Sequence, residues 1–87
     1  MKYKKNDFIS VKVIQNEVFA FNRNTGIIHS FNSTGGFLLN LIVQEMPIDA
    51  LIDNLIQEYE IDKETAQKDV IEFLQTLSQK GLININE

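Results

Sequence analysis

The chain has 87 residues, 44% hydrophobic and 23% charged, with a formal net charge of −4 and no cysteine. That length supports one modest core, and the composition is that of a globular rather than a disordered chain. Disulfides and thiolate metal sites are excluded. No apolar run is long enough to span a bilayer, and no signal-peptide stretch follows the basic start from Met1 to Asp7, so the expected compartment is the cytoplasm.

The chain reads as a single domain, 1–87, that changes character at Asn32. Before it the pattern alternates. A first strand is expected over about 8–14, where Ile9-Ser10-Val11-Lys12-Val13 alternates apolar with polar. Gln15-Asn16 supplies a turn, and Val18, Phe19, Ala20 and Phe21 carry a second strand over about 17–22. Phe19 and Phe21 share one face, which is expected to be a core face. Gly26 is free to take positive φ in the next turn. A short third strand follows over about 27–31, and the short connections imply an antiparallel meander.

After Asn32 the period becomes helical. Asn32-Ser33 offers an N-cap to a helix over about 33–45, whose Gly35-Gly36 pair costs helix propensity and points to close backbone packing. Pro47 opens a second helix over about 47–59, with Ile48, Leu51, Ile52, Leu55, Ile56 and Tyr59 as its apolar stripe. Asp62 caps a third over about 63–80, with Ala66, Val70, Phe73, Leu74 and Leu77 on its stripe. Gly81 is a left-handed stop, and Leu82 to Ile85 can add a terminal strand. Strands followed by helices indicate an α+β fold with helices on one sheet face.

Catalytic equipment is missing. The single histidine, His29, lies on a strand with no nucleophile motif beside it. No spaced metal-ligand set, calcium loop or phosphate-binding glycine loop occurs. No catalytic residue, metal ligand or cofactor is therefore expected, and the chain reads as a binding protein rather than an enzyme.

Two kinds of macromolecular partner can be weighed. Nine acids against two bases between Glu45 and Glu72 repel a phosphate backbone. The third helix carries mixed charge, which argues against nucleic acid as ligand. Protein or peptide fits better. A meander has two edges, and an edge strand presents unpaired N–H and C=O groups to which an extended peptide can add. Ile27-Ile28-His29-Ser30-Phe31 has none of the lysines or prolines that usually protect an edge.

The stretch Gly26-Ile27-Ile28-His29-Ser30-Phe31-Asn32-Ser33-Thr34-Gly35-Gly36 resembles the strand-to-helix junction of PqqD-like proteins, where G-x-V-H-S-L-N-x-T-G-A is common. Leu51, Leu55 and Tyr59 resemble that family's second helix. Asp69-Val70-Ile71-Glu72-Phe73-Leu74-Gln75-Thr76-Leu77 followed by Gly81-Leu82-Ile83 resembles its ending. Phe31 departs from the usual leucine, the first helix lacks the tryptophan of many members, and Glu45-Met46 replaces a common Asp-Gly.

The resemblance implies a winged helix-turn-helix-like fold, a three-stranded antiparallel sheet followed by a three-helix bundle. It also implies a recognition element for ribosomally made, post-translationally modified peptides. In that family the leader of a precursor peptide adds to the third strand, in a groove completed by the third helix. It is then presented to a modifying enzyme, such as a radical S-adenosylmethionine protein, or to a leader peptidase; in the founding system the product is pyrroloquinoline quinone. Carried onto this sequence, Thr25, Ile27, Ile28, His29 and Ser30 supply the edge. Val70, Phe73 and Leu77 line apolar pockets with Ile27, and Lys68 and Asp69 read charge at the rim. A winged-helix DNA-binding regulator and a structural subunit or homodimerisation module are the alternatives.

Overall fold

The computed structural model describes residues 1–86. In chain order the elements are β1 (Lys2–Lys5), β2 (Ile9–Ile14), β3 (Glu17–Asn22), β4 (Ile28–Ser30), α1 (Ser33–Ile42), α2 (Ile48–Tyr59), α3 (Lys63–Gln79) and β5 (Ile83–Asn86). β2, β3 and β4 form an antiparallel sheet in that order, and β1 pairs with β5 in a separate two-stranded ribbon. The expected α+β fold, a three-stranded antiparallel sheet followed by three helices, is present.

Local chemistry accounts for the turns. Gln15 and Asn16 take φ of 51° and 68° between the paired Ile14 and Glu17. Positive φ at both central residues is the I′ geometry whose twist suits a two-residue hairpin. Between β3 and β4, the Asn22 side chain accepts the N–H groups of Asn24 and Thr25 at 2.9 and 3.1 Å, and Gly26 takes φ of 79°.

The helix ends are equally explicit. Asn32 caps α1, its Oδ1 accepting the Gly35 N–H at 2.8 Å. Asp62 caps α3 in the same way through Thr65, at 2.9 Å. Its carboxyl is held below the ordinary aspartate range, chiefly by the side-chain and backbone hydrogen bonds of Thr65. α3 ends in a Schellman turn: Leu82 N–H bonds the Leu77 carbonyl at 2.9 Å and Gly81 N–H bonds that of Ser78 at 3.0 Å. α1 stops at Ile42, short of the expected 45, because Glu45 takes a left-handed φ of 60° and turns the chain. Pro47 is the N-cap of α2 rather than its first residue, with its carbonyl accepting the N–H groups of Ala50 and Leu51.

Helices cover one sheet face. Ile9 and Ala20 from the sheet meet Leu38, Leu55, Leu74 and Leu77, all fully or almost fully buried. α1 lies so close to β3 that a Cβ on Gly36 would stand 2.9 Å from Val18 Cγ2; the glycine pair does serve close packing.

Two expectations need correction. Phe19 and Phe21 share a face, but Ala20 between them is the buried residue. The two phenylalanines are only half-buried and do not pack on the core; their partners Lys12, Ser30 and Ile28 place them on the side away from the helices. β1 was not expected at all. Lys2–Lys5 pairs with Ile83–Asn86, and Asn6 ties the ribbon to the end of α3 by donating to the Gly81 carbonyl at 2.6 Å. The Tyr3 hydroxyl donates to the Met46 carbonyl, and burial raises its pKa, with Glu45 adding to the effect.

Candidate functional site

Among the described residues β4 has β3 on one side only, so its other side is an open edge. The N–H of Asn22 bonds the Ile27 carbonyl at 2.9 Å, and two residues further along the register Ala20 faces His29. Bonded pairs recur at every second position of an antiparallel ladder. His29 therefore turns its N–H and C=O toward β3, while Ile28 and Ser30 turn theirs outward. The Ile28 side chain is 62% exposed and lies opposite Phe21, on the outer face. His29, opposite Ala20, is half-buried on the helix-facing side.

An open groove of about 400 Å³ runs from the end of β4 past the start of α1 to α3. Its apolar part is Phe31, Leu38 and Phe73. The rings of Phe31 and Phe73 meet edge to face, with centroids 6.0 Å apart. Gly35 lets α1 begin beneath this pair, since a Cβ there would stand 3.3 Å from Phe73 Cε1. The rim carries Asp69 and Glu72, with Thr76 and Lys80 further along α3. A slot with an apolar floor and a charged rim, beside unpaired main-chain groups, suits an extended chain with alternating side chains.

The sequence-derived residues fall in different places. Ser30, Asp69 and Phe73 meet in the groove, and Ile28 and His29 lie on the strand beside it. Thr25 sits in the preceding turn, where its hydroxyl accepts the Ile27 N–H at 3.2 Å; Ile27 is 54% exposed just before β4. Lys68 is exposed and is not part of the groove wall. The expectation that Val70 and Leu77 line a pocket does not fit this arrangement. They are 1% and 0% exposed, packed into the core behind the groove, and offer no surface to a ligand.

Sequence reasoning reads Phe31 only as part of the edge strand and misses Asn32, Thr34, Gly35, Leu38, Glu72, Thr76 and Lys80 as groove residues. On α3 the missed signal was a stripe. Asp69, Phe73, Thr76 and Lys80 recur at helical spacing, each of the first three one position before a core residue.

Among the described residues no three His, Cys, Asp or Glu side chains are grouped to hold a metal ion, and no helix is long and apolar enough to cross a membrane.

Comparison with known proteins places this geometry. The chain matches no curated protein. Two solved structures share its fold over almost the whole length. TbiB1 in complex with the TbiA(β) leader peptide aligns with a TM-score of 0.89 at 24% identity, covering 97% of this chain and 98% of that one. Lasso peptide synthetase B1 complexed with the leader peptide aligns at 0.86 and 16% identity, covering 98% and 100%. The model of the family described as coenzyme PQQ synthesis protein D (PqqD) matches residues 17–83, most of the sequence, including β3, β4 and the three helices. This chain belongs to the PqqD family.

Proposed function

We propose that this protein is a non-catalytic recognition element that captures the leader segment of a ribosomally synthesised precursor peptide by β-strand addition to β4 and presents it to a modifying enzyme. The observation that carries this reading is the pairing of an open edge, at Ile28 and Ser30, with the apolar groove between β4 and α3. The family match and two similar folds with leader peptides bound support it.

The division of labour follows from the geometry. Outward N–H and C=O groups of Ile28 and Ser30 bond the peptide main chain and give affinity without reading sequence. Alternate side chains of the added strand point into the groove, where Phe31 and Phe73 accept an apolar group. Asp69 and Glu72 favour a basic residue at that rim. The modification belongs to the partner enzyme, of radical S-adenosylmethionine type or another class, or to a leader peptidase.

The test is calorimetric titration of the protein with the precursor peptide encoded by a neighbouring gene, with and without its leader. Ile28→Pro removes the outward N–H and adds a ring at the edge. The expected result is a loss of affinity of about a hundredfold or more, with the circular dichroism spectrum retained. Unchanged affinity in the folded variant rejects strand addition at β4.

A further inference from the structure

A second hollow of about 570 Å³ adjoins the groove, and the two meet at Phe31 and Asn32. It exists because β3 outruns β4. Ser30 at the end of β4 pairs with Phe19, so Glu17, Val18 and the Gln15-Asn16 turn project beyond it. Under this overhang lie the first turns of α1 and the end of α2. The apolar surface is Val13, Val18, Phe31 and Phe37, and Gly36 keeps the floor open. Tyr59 closes the far side, its ring edge-on to Phe37 at 5.7 Å and 89°. Val13 and Tyr59 remain 59% and 38% exposed.

The rim chemistry restricts what fits. It consists of Asn16, Asn32, Ser33 and Asn40 with Tyr59, and among the described residues Glu17 is its one charged group. Side-chain amides donate and accept together, which matches the alternating N–H and C=O of a peptide main chain. Among the described residues no lysine or arginine lines the hollow, so no side-chain cation is there to pair with a phosphate or carboxylate.

We infer that this hollow is a second subsite for the same peptide, taking an apolar side chain from the segment that continues past the Ser30 end of the added strand. The inference rests on the strand-addition reading of β4. Continuity at Phe31 and Asn32 selects the peptide as occupant, because a chain leaving the β4 edge in that direction passes over Asn32 and Ser33 and reaches the hollow without leaving the surface. The subsite gives the protein a longer reading frame than the β4 edge alone: two apolar anchors, one on each side of Phe31.

The test uses the full chain and a phage-displayed random peptide library, so no natural ligand need be known. Wild-type selection is expected to enrich peptides with two separated apolar clusters. Asn40→Trp, an exposed position on α1, fills the hollow and is expected to weaken these peptides about tenfold or more. Val13→Arg, exposed on the hairpin, serves if the first variant fails to fold. Deleting one cluster from the peptide is expected to cost as much on wild type and nothing further on Asn40→Trp, a coupling that general damage to the fold does not produce. Equal affinity of both variants and wild type for the full peptide, with Ile28→Pro still abolishing binding, overturns the second subsite and leaves the β4 site standing. Unchanged binding by Ile28→Pro, or enrichment of no peptide on wild type, overturns both.

Discussion

Two stripes run along α3, about 100° apart around its axis, and they do different work. Ala66, Val70, Leu74 and Leu77 are 0–1% exposed and join the helix to the core. Asp69, Phe73 and Thr76 each precede a core residue by one position and face the groove instead. One helix therefore supplies both the support and the wall of the site, with Phe73 half-buried at the boundary, edge-on to Phe31. Hydrophobicity does not tell Phe73 from its core neighbours; a single step along the sequence does.

This contrast can be broken by mutation. The largest effect is expected from Leu77→Ala, which empties a fully buried position and costs about 2–5 kcal/mol in urea denaturation. The fraction that remains folded should bind a selected peptide as wild type does. Phe73→Ala should do the reverse, weakening binding about ten- to hundredfold by titration with a smaller loss of stability. If both variants lose stability and affinity in parallel, the stripes are not separate.

Smaller effects sharpen the picture. Gly36→Ala on the facing helix gains up to about 1 kcal/mol of helix propensity but forces a Cβ to 2.9 Å from Val18 Cγ2. Overpacking costs about 1–3 kcal/mol, so a net loss is expected, read as a lower urea midpoint. The smallest effect is that of Asp62→Ala at the start of α3, a modest fall in thermal midpoint at neutral pH. The folded-state pKa of Asp62 is lowered by its bonds from Thr65, so its stabilisation is present above the unfolded pKa and is lost as pH falls through the folded one. Wild type and variant should converge in acid; a gap that persists there rejects the charged cap.

Much of this was legible in the sequence. Alternation locates β2, the run Val18 to Phe21 locates β3, the caps at Asn32 and Asp62 locate two helix starts, and Gly81 locates an end. The unprotected stretch from Ile27 to Phe31 pointed to the edge that β4 leaves open. What failed was non-local. β1 carries three lysines around Tyr3, and its partner lies at the far end of the chain, so no local pattern announces it. A shared strand face predicts a core place for Phe19 and Phe21, yet the face of the small Ala20 is the one the helices cover. The resemblance, carried over residue by residue, puts Val70 and Leu77 in the groove; periodicity shows only that they are apolar, and the neighbours packed on α3 decide that they are covered.

The close seat of α1 on β3 has a consequence for the thermodynamics of capture. Gly36 against Val18, and the Asn32 cap bonded to Gly35, fix the angle at which the chain leaves β4 and enters α1. The edge and the groove thus stand in their working relation before any peptide arrives. An extended peptide already gives up much backbone freedom when it adds to a sheet. A receptor that loses little of its own on binding leaves more of the contact energy to appear as affinity.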